Sequence, residues 1–386
     1  MVRVLHISAG NLYGGVETLL VTLARFRNLC PSMKPEFATC FEGRLEQELK
    51  TAGVSVHRLG GVRLRNPFSV RRARQKLAQL LHLNRFDAAI CHMPWALAVF
   101  GPAIRSADVP LLYWQHGVTT GRHWLERWAR LMPPDLAICN SRFTAKTLEH
   151  FLPGVRSEVI YCPVAPEVTP FTEADRLALC AELGTAPDAT VIIQAGRMEP
   201  LKGHALLLKA LSQLRDQSEW TCWIVGGAQR PHEADYLEQI RATAATLGID
   251  KRVVFLGQRG DLVRLLAAAD LFCQPNTGPE GFGIVFVEAL YSGLPVVTTA
   301  LGGAAEIIDD SCGVLVAPGD VSALAAALEG LILDPALRRK LASRGPRRAN
   351  ELCAPEVQIT RLCETLEKWR IVTTSGNNCM TGPALL

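Results

Sequence analysis

At 386 residues the chain exceeds one ordinary hydrophobic core and has room for two α/β domains. Its composition, 48% hydrophobic and 20% charged, excludes disordered and collagen-like classes. The longest nearly uninterrupted apolar run, Pro94 to Ile104, falls far short of the ~18 residues that a membrane-spanning helix requires.

The opening VRVLHIS reads as a first strand and not as a signal peptide, which needs a longer apolar stretch and a small-residue cleavage site. In chain order the candidate strands of the first half are Val2–Ser8, Phe37–Phe41, Val54–Leu59, Ala88–His92, Leu111–His116, Leu136–Asn140 and Val159–Cys162. Helical-period stretches, among them Val16–Leu29 and Val70–Leu83, lie between them. Strands rich in Val, Ile and Leu, separated by helices, imply parallel βαβ units covered on both faces. CPVAPEVTP, Cys162–Pro170, then carries three prolines in nine residues, which excludes a helix interior and predicts an extended linker.

After the linker the alternation restarts at Val191–Gly196, Thr221–Gly226, Val253–Gly257, Leu271–Gln274, Pro295–Thr299 and Val314–Val316. The predicted fold is α/β, with two Rossmann-like doubly wound parallel-sheet domains over residues 1–165 and 166–357. A helix at about 358–370, with its periodicity ending near Trp369, is placed to return to the first domain. Residues 371–386 are expected to fray.

Twelve cysteines run from Cys30 to Cys379 without a C-x-x-C pair. Most fall inside apparent strands or helices, where a free thiol behaves as a small hydrophobe, so the expectation is reduced thiols in a cytoplasm. Charge is divided unevenly. Residues 1–165 carry 21 Lys+Arg against 11 Asp+Glu, while residues 166–386 carry 20 against 26, a basic half followed by an acidic one.

In open parallel sheets ligands bind beyond the carboxyl ends of strands, and the chemistry-bearing residues fall there. SAGNLYGGVE follows the first strand and places Gly14 and Gly15 before a helix, where a backbone without side chains can approach an anionic group. A plain turn explains the pair equally well. The spacing is not G-x-G-x-x-G, which leaves a dehydrogenase without its dinucleotide fingerprint. GRMEPLKGH, Gly196–His204, brings Arg197 and Lys202 to a strand end, a fork and a point charge suited to a diphosphate; the bland alternative is two solvated cations. PEGFGIVFVEAL separates Glu280 from Glu288 by seven residues, with Gly281 and Gly283 between. A helix starting near Phe282 would put Glu280 at its mouth and Glu288 about two turns inside. The N–H groups of Gly283 and Ile284 would then face a phosphate or hydroxyl. A lone helical Glu is ordinarily a solvated residue, but the apolar neighbours Val285, Phe286 and Val287 argue against that here.

Together these motifs resemble the family 4 retaining glycosyltransferases of the GT-B fold. The matching positions are the early Gly-Gly, Gly-Arg-x-x-Pro-x-Lys-Gly at 196–203, Glu-x7-Glu at 280–288, and TTALGGAAEIIDDSCGVLVAPGD at Thr298–Asp320. The resemblance implies a donor nucleotide sugar bound in an interdomain cleft, with Arg197, Lys202 and Gly15 at the diphosphate and Glu288 on the ribose. It places Glu280 at the transferred sugar, with backbone contacts from Phe282, Gly283 and Ile284. His116, in WQHG, matches a family position near the reacting sugar, where an imidazole can donate or accept near neutral pH; alone it would read as a satisfied core histidine. The family often has Asn-Gly-Val-Asp where this chain has Cys162-Pro-Val-Ala165.

The mechanism so implied is transfer with retention, the leaving diphosphate being stabilised by Arg197, Lys202 and helix N-termini. The chain contains no Asp-x-Asp, so neither a metal nor a cofactor is expected. A nucleotide-sugar epimerase, or an inactive carbohydrate-binding subunit of the same fold, is the alternative. Intact Glu280, Glu288, Arg197 and Lys202 argue against decay. A phosphorylase would need a lysine for pyridoxal phosphate, and none stands out in the second half.

The acceptor is expected to be a glycan or lipid-linked precursor, taken by the first domain at the cytoplasmic face of a membrane. Between Glu48 and Asp87 there are nine basic residues and no acidic one. Within Arg63–Arg85, Val70, Leu77, Leu80, Leu81 and Leu83 lie among cations, as in an amphipathic interfacial segment. GRHWLERWARL sets Trp124 and Trp128 among arginines, and tryptophan favours the headgroup region. The plainer alternative is a solvated basic face over an ordinary core. No recognition motif points to nucleic acid.

Overall fold

The computed structural model describes residues 1–166, 170–216 and 219–377. The chain divides into two compact units, Met1–Pro163 with Cys353–Leu386, and Val164–Leu352. The proline-rich stretch thus contains the boundary, and its residues 167–169 lie outside the described residues.

In the first unit the strands are β1 (Val2–Ser8), β2 (Met33–Thr39), β3 (Val56–Arg58), β4 (Ala88–His92), β5 (Leu111–Gln115), β6 (Leu136–Cys139) and β7 (Ser157–Val159). They form one parallel sheet in the order β3-β2-β1-β4-β5-β6-β7. Every strand expected from the sequence is present; β1 and β4 have the expected bounds, and the others are shifted at one or both ends. The largest shift is at β2, which starts four residues before Phe37, at Met33. Pro35 and Glu36 disguise its front half. Glu36 is nevertheless buried, because Arg3 at 2.7 Å and His57 at 2.9 Å hold its carboxylate.

The apolar run after β4 is a core helix, Met93–Ser106, burying Leu97, Val99, Phe100 and Ile104. Helix Pro67–Leu83 is capped by Asn66, whose side chain accepts from Phe68 N and Ser69 N. Its Val70, Leu77 and Leu81 are buried together with Ala73 at helical spacing and Leu80 is half-buried, which corrects the expectation of an interfacial stripe for these residues. Leu83 alone of that set stays exposed. The core captures the others, because a helix covering a parallel sheet must bury one face. Arg71, Arg72 and Lys76 remain outside. Arg74 instead turns inward, donating to Val99 O at 2.6 Å and Ala98 O at 3.2 Å.

The second unit holds β8 (Thr190–Ala195), β9 (Trp220–Val225), β10 (Val253–Gly257), β11 (Leu271–Gln274), β12 (Val296–Thr299) and β13 (Gly313–Val316). These are also parallel, in the order β10-β9-β8-β11-β12-β13. Its core is built on Ile192, Leu207, Trp220, Ile224, Leu271 and Leu328, all essentially inaccessible.

The last helix, Pro355–Asn377, belongs to the first unit and buries Ile359, Leu362 and Leu366. It continues past Trp369, where its periodicity had placed the end, because no proline follows Pro355 before Pro383 to stop it. The rest of the tail expected to fray, residues 378–386, lies outside the described residues. A second correction concerns cysteine. Cys30 and Cys363, 333 residues apart, are joined as a disulfide, a pairing that local spacing cannot reveal. Elsewhere burial pushes the Cys40, Cys139 and Cys222 thiols up to about 12, which leaves them inert.

Candidate functional site

Both sheets reverse direction beside the first strand of their unit, so that β1 lies between β2 and β4, and β8 between β9 and β11. At such a switch point the loops leaving adjacent strands run to opposite sides, and open parallel sheets bind ligands there. In the second unit those two loops carry Arg197–Gly203 and Asn276–Gly283.

Lys202 ends a short turn, Pro200–Lys202, ahead of helix His204–Ser212. The turn is fixed from both sides. Buried Gln194 donates from Nε2 to Lys202 O at 2.7 Å. Gly203 adopts a left-handed φ of 75°, and a Cβ there would collide with the Pro275 carbonyl. From this position Lys202 Nζ donates to Glu280 Oε1 at 2.6 Å. The other carboxylate oxygen, Oε2, accepts from Asn276 Nδ2 at 3.1 Å and Gln274 Nε2 at 3.3 Å. Thr298 and Thr299 hold those two residues in turn, donating to the Gln274 and Asn276 carbonyls at 2.8 and 2.7 Å. A cation and a carboxylate contributed by opposite sides of the switch point are thus held together by polar residues at the ends of β11 and β12.

Glycine explains the loop around Glu280. Gly283 has φ 100° and holds the backbone out of the helix until Ile284, so the helix is Ile284–Tyr291. Glu288 is therefore only its fifth residue, little more than one turn inside and not two. It is half-buried, while Phe282 is buried. Side chains on Gly302 or Gly303 would strike the backbone of Glu280–Phe282, and Gly303 N donates to Glu280 O at 2.9 Å. The Leu-Gly-Gly of the closing motif is thus a packing surface for the Glu280 loop. Arg197 pairs with Glu199 at 2.8 Å, so of the two expected cations only Lys202 is joined to Glu280. The backbone N–H groups of Gly283 and Ile284 stand at the helix start, where partial positive charge collects.

In the first unit Gly14 caps helix Gly15–Arg25. Its loop is tied down by Tyr13, which donates to Glu48 at 2.7 Å and lies under Arg44. His116 follows β5, and Asn140 Nδ2 donates to its carbonyl at 3.1 Å. Its ring does not stand alone. His92 Nδ1 lies 2.8 Å from His116 Nε2, and His6 Nδ1 lies 3.0 Å from His92 Nε2. The register makes this row inevitable. His6 pairs with Ile90, and His92 with Trp114, so with period-two alternation all these rings share one face. Burial and neighbouring rings pull His116 down to about 3, so its imidazole is neutral and does not titrate near pH 7 as anticipated. Among the described residues no three His, Cys, Asp or Glu side chains converge as a metal site would, and none of the helices is long and apolar enough to cross a membrane.

Comparison with known proteins settles the family. Residues 176–348 match the glycosyl transferases group 1, and residues 13–168 match glycosyltransferase family 4. Phosphatidyl-myo-inositol mannosyltransferase of Mycobacterium leprae is 31% identical over 299 residues, 76% of this chain and 75% of that protein. The chain belongs to glycosyltransferase family 4. D-inositol 3-phosphate glycosyltransferase of Mycobacterium sp. (strain KMS) is 36% identical over 214 residues, which are 54% of this chain and 47% of that protein. Among solved structures HepE of Anabaena, in complex with UDP and glucose, superposes with a TM-score of 0.84 at 26% identity, covering 95% of this chain and all of that one. The fold of this glycosyltransferase is accordingly GT-B.

The sequence pointed to Lys202 and Glu280 singly. It missed Gln194, Gln274 and Asn276, whose signal is a polar residue at a strand end in an otherwise apolar run, and it missed His6 and His92.

Proposed function

We propose that this glycosyltransferase moves a sugar, with retention, from a nucleotide-sugar donor to a glycan or lipid-linked acceptor. The observation that carries this is the Lys202–Glu280 pair, set with Gln274 and Asn276 at the switch point of the second sheet. A fixed ammonium beside a helix N-terminus suits a leaving diphosphate, whose charge grows as the glycosidic bond breaks. An oriented carboxylate beside it suits sugar hydroxyls. Arg197 and Gly15 are proposed as further diphosphate contacts, Glu288 as the ribose ligand, Phe282, Gly283 and Ile284 as backbone contacts, and His116 as a hydrogen-bonding group at the reacting sugar. Complexes of the HepE protein with UDP and with UDP-glucose support a nucleotide-sugar donor.

For the acceptor we propose a precursor presented at the cytoplasmic face of a membrane. The outward face of helix Pro67–Leu83 carries Arg71, Arg72 and Lys76, with Phe68 and Leu83 exposed at its ends. Trp124 and Leu131 are also exposed. A groove of about 620 Å³ between this helix, Met93–Ser106 and Trp128 adds an apolar recess rimmed by Arg71. The name of the phosphatidyl-inositol relative supports an acceptor of this kind.

The deciding experiment is turnover of UDP-, GDP- and ADP-sugars with and without acceptor lipid extract. Acceptor-dependent release of nucleoside diphosphate is expected. A changed sugar still attached to its nucleotide would make the protein an epimerase, and binding without turnover would make it an inert subunit.

A further inference from the structure

His6, His92 and His116 form a continuous chain of imidazoles across β1, β4 and the end of β5, with ring-nitrogen contacts of 3.0 and 2.8 Å. His6 and His92 are inaccessible, whereas His116 at the open end is partly exposed. Flat neighbours fix the ring planes: Phe37 stacks on His6, and Trp114 stacks on both His92 and His116. Met93, directly after His92, holds a left-handed φ of 73°. That backbone is uncommon for a side-chain-bearing residue, and such strain collects where surrounding structure imposes a conformation.

A neutral imidazole has one N–H and one bare nitrogen, and His92 uses both of its nitrogens within the chain. The protons must therefore all point one way. If they ran inward, from His116 to His6, the chain would end on a buried His6 Nε2–H. Yet His6 Nε2 is buried and, among the described residues, meets no hydrogen-bond partner. An orphaned buried N–H is the rarer defect, and an unused lone pair the more tolerated one. The protons consequently run outward: His6 Nδ1–H donates to His92 Nε2, and His92 Nδ1–H donates to His116 Nε2. His116 is left with its proton on Nδ1.

We infer that His6 and His92 are positioning residues that lock His116 in its Nδ1–H tautomer, so that the open end of the chain is always a hydrogen-bond donor. An unconstrained histidine in water favours Nε2–H, so the chain selects the less common form. Burial keeps His6 and His116 neutral, both pulled down to about 3, and the arrangement persists across neutral pH. A donor suits a sugar oxygen that gains negative character, whereas a ring free to exchange tautomers would offer a lone pair part of the time. The functional half of this inference rests on the proposed role of His116 at the reacting sugar.

The test is a nitrogen-15 spectrum of imidazole-labelled protein, read beside transfer kinetics. At neutral pH all three rings are expected with Nδ1 protonated and Nε2 bare. In His92→Phe the His116 signals should move toward the Nε2–H form, with the donor KM little changed and kcat lowered about tenfold, the worth of one positioned hydrogen bond. In His92→Asn the amide nitrogen can replace Nδ1, so the tautomer and most of kcat should survive. An Nε2–H His116 in the native protein, or a Phe variant that transfers as well as the Asn variant, overturns the inference. If His92→Phe fails to fold, the native spectrum and the Asn variant still decide. Nδ1–H rings throughout, together with undiminished transfer in His116→Ala, would remove His116 from the reaction while leaving the tautomer assignment standing.

Discussion

Lys202 and Glu280, 78 residues apart in sequence, are bonded at 2.6 Å, and each is mostly shielded from solvent. The carboxylate keeps its two amide donors if the lysine is removed, but the site loses its fixed cation. Lys202→Ala is therefore expected to weaken UDP or GDP binding about 10- to 100-fold, the worth of one charged hydrogen bond. Arg197→Ala should act in the same direction but less, because Arg197 is more exposed and already paired with Glu199. Calorimetry decides, and unchanged affinity in both variants would remove the diphosphate from this loop.

Glu280→Ala is expected to abolish transfer while leaving nucleotide affinity largely intact, because Glu280 precedes the helix and is aimed by Lys202, Asn276 and Gln274. Glu288→Ala, one turn inside the helix, should weaken the nucleotide itself. Single-turnover assays beside UDP titrations separate the two effects. Loss of nucleotide affinity alone in both variants would erase the division of roles.

Why one part of this site was legible and another was not follows from the length scale of each signal. Alternating Val-, Ile- and Leu-rich runs with intervening helical periods announce strands locally, so both sheets could be read. Glu280 and Lys202 stood out because a charged residue beside glycines at a strand end is a local anomaly. Their bond to each other is tertiary, set by β8 and β11 being neighbours at the switch point. The histidine row is less visible still. His6, His92 and His116 each look like an ordinary residue at or near a strand's carboxyl end, and only the register His6↔Ile90 and His92↔Trp114 puts them on one face. Leu77 and Leu81 show the converse: their spacing fits an interfacial stripe as well as a core stripe, and packing chooses.

Acid is expected to weaken the fold well above the pH at which carboxylates titrate. Burial lowers His6 and His116 to about 3 and His204 to about 4, against about 6.5 when unfolded. Below pH 6.5 the unfolded chain binds protons that the folded one refuses, so stability present above pH 6.5 is lost as pH falls toward those values. The slope is up to about 1.4 kcal/mol per pH unit for each ring. Urea midpoints between pH 7.5 and 5 report it. A flat profile would mean that these rings take up protons in the folded protein as readily as in the unfolded chain.

Transfer is expected to survive EDTA, since the chain lacks Asp-x-Asp and Lys202 with the Ile284 helix start can meet the leaving diphosphate. Activity that disappears on chelation and returns with manganese would reveal a metal-dependent transfer.

The basic outer face of Pro67–Leu83 should bind anionic membrane. Each surface cation contributes roughly 1 kcal/mol of attraction, screened by salt. Co-sedimentation with phosphatidylglycerol vesicles at low salt is expected to exceed that with neutral vesicles, and Arg71→Glu with Arg72→Glu should abolish the difference. Equal sedimentation with both vesicle types would point to a soluble acceptor.

The return of helix Pro355–Asn377 to the first unit sets the order in which the molecule can be completed during synthesis. The second unit, Val164–Leu352, is contiguous and can close on itself as soon as it leaves the ribosome. The first unit must wait for Ile359, Leu362 and Leu366, and for Cys363 to meet Cys30. With translation adding roughly 5–20 residues per second, its unfinished surface stays open for about ten to forty seconds while the other unit is made. During that interval the nascent first unit is a natural client for chaperones, although it emerged first.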